Sequence, residues 1–220
     1  VRHFAAVGAA CLCLAACGTA PPSSPPPEPS TTATGTGVID PTRIDRARYE
    51  LPPDYEVADV SGRVTPLAQW GFGAGVSAEP GVCARLADPP ADPATVRGWS
   101  ASGPGGIVYA VAAGGAAGID ASLVGQCARW TMAAGPTTGT FDLVDAPAVA
   151  GAETVGMAAD VLTVVEGGTE TRSQVVTFIA TEQGRLVYVT VVTDPGSPNA
   201  ALGPGFAADL LTKTVAALRR

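Results

Sequence analysis

Residues 173–181 and 185–193 are dense in β-branched and aromatic side chains, with Gln183-Gly184 in the short break between them. The first run carries Val175, Val176, Phe178 and Ile179; the second carries Val187, Tyr188, Val189, Val191 and Val192. Side chains of this kind favour extended, pleated backbone, and a glycine-containing break between two such runs marks an antiparallel hairpin. Two strands alone cannot hide an apolar face, so the rest of the chain must supply neighbours. Residues 55–60, 107–112, 127–133, 138–144 and 158–165 read as further strands, and Gly167-Gly168 as a second hairpin turn. After Asp194-Pro195-Gly196, residues 206–218 set Phe206, Leu210, Leu211, Val215 and Leu218 on one stripe of a helix. Near the other end, Asp40-Pro41 is a helix start, with aspartate as N-cap and proline in the first turn. Ile44, Ala47 and Leu51 then recur at helical spacing until Pro52-Pro53 stops the element. Runs of strands bracketed by helices predict a single α+β domain over residues 38–220: an antiparallel β-sheet meander with N-terminal and C-terminal helices packed on one face. Residues 61–106, rich in Gly, Pro, Ala and Asp, read as loops with short helices near 83–86 and 93–97.

What precedes this domain is of a different kind. Val1-Arg2-His3 is followed by an apolar stretch over residues 4–14, which suits the apolar region of a signal peptide. It is too short for a membrane-spanning helix, which needs roughly 20 apolar residues. Leu14-Ala15-Ala16-Cys17 has the order apolar, small, small, cysteine of a bacterial lipobox. In such sequences diacylglycerol is attached to the cysteine thiol and the preceding peptide bond is cut. Residues 1–16 are therefore expected to be removed, leaving Cys17 as a lipid-bearing N-terminus; the alternative is an ordinary signal peptide with a chance cysteine. Residues 17–37 form a Pro/Thr-rich linker with no hydrophobic period. Fully extended, it would hold the domain about 60 Å from the membrane. Thr31, Thr32 and Thr34, clustered beside prolines, are candidate O-glycosylation sites, an unmodified linker being the alternative.

Export also accounts for the cysteines. Cys11 and Cys13 leave with the signal peptide and Cys17 is lipidated, so Cys83 and Cys127 remain as an even pair in an oxidising compartment. A disulfide between them is the natural reading, with two buried thiols as the alternative. Losing Arg2 reduces 13 basic side chains to 12 against 20 acidic ones, a net charge of −8. An acidic chain with one lysine, Lys213, and no basic run is not built for nucleic acid or for anionic lipid heads. Attachment to the membrane falls to the acyl chains.

The only histidine, His3, lies in the expected signal peptide. The mature chain then has no Ser-His-Asp or Cys-His mechanism and no imidazole metal site. With Cys83 and Cys127 paired, thiolate chemistry goes too. Gly98-Trp99-Ser100-Ala101-Ser102 starts like a nucleophile elbow but lacks the second glycine and any base for Ser100. Gly71-Phe72-Gly73-Ala74-Gly75-Val76 lacks the last glycine of a dinucleotide fingerprint. Lys213, the one partner for a Ser–Lys dyad, falls in the amphipathic C-terminal helix. Carboxylate pairs are the last enzymatic route: Asp142 with Asp145, Glu166 with Glu170, or members of the set Asp54, Glu56 and Asp59. Asp120, Asp142 and Asp145 are oxygen ligands without an EF-hand-like loop, so no metal and no cofactor is expected. Trp130, three residues after Cys127, is expected to pack on the disulfide. Trp70 and Trp99 fall in Gly-rich stretches and are the candidate partner-contacting aromatics, with loop anchoring as the alternative.

Ile39-Asp40-Pro41-Thr42-Arg43-Ile44, followed by Leu51-Pro52-Pro53-Asp54-Tyr55-Glu56-Val57, resembles the opening of small mycobacterial cell-envelope lipoproteins of unknown function. These are distantly similar to the extracellular sensor domain of a PknH-type receptor kinase. The resemblance covers residues 38–220 and implies no catalytic or ligand-binding residue. The combined expectation is a non-catalytic binding or sensor-like lipoprotein on the outer face of the cell membrane, meeting an envelope component or a protein partner. A carboxylate-dependent hydrolase of envelope glycans and a lipid carrier are the alternatives.

Overall fold

The computed structural model describes residues 37–62 and 65–219. The expected signal peptide, Cys17 and the linker threonines Thr31, Thr32 and Thr34 lie outside the described residues.

Nine strands form one antiparallel sheet: β1 (Glu56–Val60), β2 (Ser77–Glu79), β3 (Arg97–Gly103), β4 (Gly106–Gly114), β5 (Arg129–Ala134), β6 (Thr137–Val144), β7 (Glu153–Val164), β8 (Glu170–Glu182) and β9 (Arg185–Thr193). Their spatial order is β1-β3-β4-β9-β8-β7-β6-β5-β2. Four short-to-medium helices, α1 (Pro66–Gln69), α2 (Ala84–Ala87), α3 (Ala121–Gln126) and α4 (Pro204–Leu218), and 3₁₀ helices at Pro41–Glu50, Gly81–Cys83 and Pro93–Thr95 complete the α+β domain. Consecutive pairing holds for β3–β4 and from β5 through β9. Between them α3 leads the chain away from β4 to the far side, so the meander returns and seats β9 against β4. Gln183 and Gly184 both have positive φ, 49° and 73°, the twist that a two-residue turn needs to match the β8–β9 hairpin.

Of the expected stripe on the C-terminal helix, Leu210, Leu211, Val215 and Leu218 are buried against the sheet together with Ala207 and Thr214, while Phe206 is half-buried at its start. The N-terminal helix packs beside it on the same face. There Pro41, Ile44 and Ala47 are buried, a spacing of three that matches the three-residue turn of a 3₁₀ helix. Asp40 caps it, accepting hydrogen bonds from the Thr42 N–H (3.0 Å) and hydroxyl (2.7 Å). Below the two helices lie Trp99, Ala101, Val108, Ala110, Phe178, Val187, Val189 and Val191. The opposite face holds a second core of Trp70, Phe72, Trp130, Met132, Phe141, Met157, Ile179 and Tyr188, which also contains Cys83 and Cys127.

The largest departure from expectation is β3, which occupies a stretch read as loop. Gly98, Ser100 and Ser102 on its other face are residues with weak strand preference, and they mask the alternation that buries Trp99 and Ala101.

The two ends of the domain meet at one pole. The Asp40 N–H donates to the Leu218 carbonyl at 3.1 Å, closing the C-terminus of α4. Gly37 packs so closely that a Cβ there would sit 2.1 Å from the Arg219 carbonyl oxygen. Arg219, in turn, is buried against Glu182 at the end of β8, donating from Nε (3.0 Å) and Nη2 (2.5 Å) to one carboxylate oxygen and from Nη2 to the Ala150 carbonyl (2.7 Å).

Candidate ligand groove

On the face that carries α4, packing is confined to one half of the sheet. The N-terminal 3₁₀ helix lies on β3 and β4, and α4 on β8 and β9. Toward β5, β6 and β7 the same face shows polar side chains in register. Thr131, Thr140, Asp160, Gln174 and Thr193 are successive cross-strand partners, a polar row from β5 to β9. One pleat further along, the partners are Arg129, Asp142, Ala158, Val176 and Val191, so the row turns apolar as it reaches α4.

Where that change occurs, the N-terminal end of α4 overhangs the sheet and leaves a groove of about 390 Å³. Ala158, Val176, Phe178 and Val191 form its floor, residues 201–204 its wall, and Asp142, Asp145 and Asp160 its carboxylate rim. Gly156 makes the floor flat: a Cβ there would lie 2.7 Å from Phe178 Cε1, so the missing side chain leaves room for the ring against β7. The Arg129 Nη1 donates to Asp142 at 3.2 Å, both side chains remaining well exposed (69% and 45%). Gln174 Nε2 donates to Asp160 at 3.3 Å. Asp145 is exposed, and among the described residues no cation pairs with it.

A second cavity, about 310 Å³, lies on the opposite face between Pro66, Pro89, Pro90, Pro93, Leu186 and Tyr188. Its one aromatic hydroxyl is already engaged, since Tyr188 accepts from Gln69 Nε2 at 3.0 Å. Burial pushes the Tyr188 phenol far above its ordinary range, so it stays a neutral hydroxyl and offers no acid–base chemistry.

The remaining candidates from the sequence are dispersed. Ser100 sits mid-strand in β3, opposite Tyr109, and not on a strand-to-helix turn. Lys213 pairs with Glu50 at 2.9 Å, which raises its pKa above the usual lysine value. Asp59 pairs with Arg48, and Glu170 with Arg172. Asp120 caps α3 by accepting from the Ser122 hydroxyl (2.6 Å) and N–H (2.9 Å), bonds that hold its carboxyl below the usual aspartate value. Among the described residues no three potential ligands cluster closely enough to hold a metal ion. Asp142 and Asp145 alone share a site, the groove, together with Asp160.

Trp70 and Trp99 correct the expectation of a contact surface. They are only 2% and 0% exposed, and both indole N–H groups are satisfied internally. Trp70 donates to the Thr177 hydroxyl (2.9 Å) and Trp99 to the Ile44 carbonyl (3.1 Å). Trp99 is sealed under the N-terminal 3₁₀ helix and α4 and Trp70 within the opposite core, leaving no surface for a partner. Trp130 lies in the same core as the disulfide and stacks on Phe141 with ring centroids 5.3 Å apart. Cys83 and Cys127 form the expected bond, closing off α3 at Cys127 instead of opening a strand there.

Fold and groove together define a single-sheet α+β domain with one helical half-face and one open polar half-face. The chain belongs to the family described as Domain of unknown function (DUF5642), whose model matches residues 40–219. Among solved structures, an uncharacterised protein from Mycobacterium smegmatis, an Rv0999 ortholog, is similar with a TM-score of 0.61 and 21% identity. The match covers 83% of this chain and 98% of that one, and at this identity it is a likeness of fold. No curated protein matches the chain. A family of unknown function agrees with that part of the resemblance drawn from the opening residues.

Proposed function

We propose that this protein is a lipid-anchored module of the cell envelope that binds a ligand in the groove at the N-terminal end of α4 and does no chemistry on it. The observation that carries this reading is the groove itself: a preformed apolar floor, an acidic rim and an open side, with no Ser, Cys, His or buried acid in the lining. The resemblance to a receptor-kinase sensor domain fits a binding role. The position of the groove fits as well. Residue 37, where the linker joins, packs at the C-terminal end of α4, and a 15-residue helix separates that point from the groove by about 22 Å. The groove thus lies clear of the point where the linker joins.

A glycan hydrolase is the competing reading, and one observation favours it. Asp142 and Asp160 are diagonal neighbours on the same face of β6 and β7, so the register brings two carboxylates to one groove, as a glycosidase pair requires. Such an enzyme must keep one carboxyl protonated at neutral pH, which burial achieves. Asp160 is exposed and Asp142 pairs with Arg129 at the open rim, so neither carboxyl is buried. A lipid carrier would need an enclosed apolar cavity, whereas this groove opens onto a polar sheet face.

Two measurements test the proposal. Cys17→Ala should move the protein out of the membrane fraction, leave an uncleaved precursor, and abolish labelling by radioactive fatty acid; unchanged fractionation and labelling would remove the anchor. Release of reducing sugar ends from purified envelope glycan, lost in Asp142→Asn and Asp160→Asn, would replace binding with hydrolysis. Threonine glycosylation at Thr31, Thr32 and Thr34 is proposed on the same footing. An intact mass explained by lipid and polypeptide alone would reject it.

A further inference from the structure

Building on the binding role proposed above, we infer that the groove takes a basic segment of a partner protein, one lysine or arginine of which lays its aliphatic stem on the floor and its cationic head on the carboxylate rim. The charge of the lining carries this. Asp142, Asp145 and Asp160 are its charged side chains, and no lysine or arginine borders the groove. Arg129 offsets one of them from outside. The N-terminal end of α4 contributes roughly half a positive charge more. Two carboxylates are left without a cation, so the groove complements a single positive group and disfavours an anion.

The floor sets the rest of the ligand's chemistry. Ala158, Val176 and Phe178 make a short apolar strip, and long cationic side chains bury their stems on such strips while keeping the head in polar surroundings. The strip does not continue. Beyond Asp160, which borders both the groove and the open sheet face, come Thr131, Thr138, Thr140 and Arg172. An acyl chain would meet Leu162 and Ala133 there, each set among these polar groups. An extended polypeptide would find hydroxyl groups able to donate to and accept from its backbone. This is the reason for assigning a protein segment and not an amine-bearing lipid.

The test uses the mature chain with Cys17→Ser, uniformly labelled with nitrogen-15, and follows backbone amides by NMR. The probes, at millimolar concentration, are the acetylated and amidated peptide alanine-valine-lysine-valine-alanine, its counterpart with glutamate in place of lysine, and dodecylamine. The lysine peptide should shift the amides of Gly156, Ala158, Asp160 and Val176 saturably. Its Kd should weaken at least tenfold in Asp142→Asn/Asp160→Asn and between 50 and 500 mM salt, where exposed charge pairs are screened. Glu166→Gln, a charge lost at the distant β7–β8 turn, should leave the Kd unchanged. Equal binding of the glutamate peptide, or an undiminished Kd in the double variant with its spectrum otherwise intact, overturns the inference while leaving a binding groove. Dodecylamine shifting these amides while the lysine peptide does not assigns the groove to a lipid amine and overturns the protein partner. If no probe moves any groove amide, the inference fails; if envelope extract then also leaves these amides unmoved, the proposed binding role fails with it.

Discussion

Replacing both bridged cysteines, as Cys83→Ser/Cys127→Ser, should lower the melting temperature by about 8–16 °C. The bond spans 44 residues of chain, and a crosslink over a loop of that size stabilises by about 4 kcal/mol on the chain-entropy model. For a domain of this length each kcal/mol corresponds to roughly 2–4 °C. The segment it holds has little else to hold it. Residues 77–91 contain the three-residue β2 and the four-residue α2, with Leu86 as the one large aliphatic side chain buried there. Amide exchange should therefore accelerate first across residues 77–91 and last in the β8–β9 hairpin, which lies at the centre of the sheet. Since both half-cystines are fully buried, a reductant should act only after local opening. A melting temperature unmoved by the double substitution would show that burial alone secures this region.

Arg219→Met should cost about 3–5 kcal/mol, the usual penalty for removing one member of a buried ion pair. The Arg219 and Glu182 side chains are 7% and 10% exposed, so the abandoned carboxylate keeps little water, and Arg185, its cross-strand partner, is the other cation beside it. The informative comparison is with Glu182→Met/Arg219→Met. Two apolar side chains of similar bulk can replace a buried pair at little cost, so the double variant should recover most of the loss. Both Arg219 variants lose the hydrogen bond to the Ala150 carbonyl, and that contribution cancels in the comparison. Chemical denaturation of the set reads the coupling directly; a double variant as unstable as the sum of the singles would mean the pair acts as two independent groups.

How much of this was legible in the sequence depends on how local each signal is. The second run of the hairpin was read as 185–193 and β9 has those bounds, because Val, Tyr and Thr fill nearly every position and the turn residues mark its start. The C-terminal stripe and the Asp40-Pro41 helix start are likewise written within a few residues of chain. Burial of Trp99 is not, since its indole bonds to Ile44, 55 residues away, through a strand whose alternate positions are glycine and serine. The groove lies between these cases. Asp142 and Asp145 could be noted as near neighbours, yet Asp160 joins them only through the β6–β7 register. Slipping that register by one residue would turn Asp160 into the core, and hydrophobic pattern alone left the strand bounds short of fixing it: β7 begins at Glu153, five residues before the expected start.

The meeting of the two chain ends at one pole has a mechanical consequence. A pull arriving through residue 37 enters the domain where Gly37 presses on Arg219 and the Asp40 N–H holds the Leu218 carbonyl. If the opposing pull comes from a partner seated at the groove, tension runs along the axis of α4 from one end to the other. The helix then bears load lengthwise, against the sliding resistance of its buried stripe on β8 and β9, and the strands are not peeled apart. The part that yields first is the joint at the ends, one backbone hydrogen bond backed by the Arg219–Glu182 pair. Strain arriving through residue 37 would be felt there before it disturbed the groove.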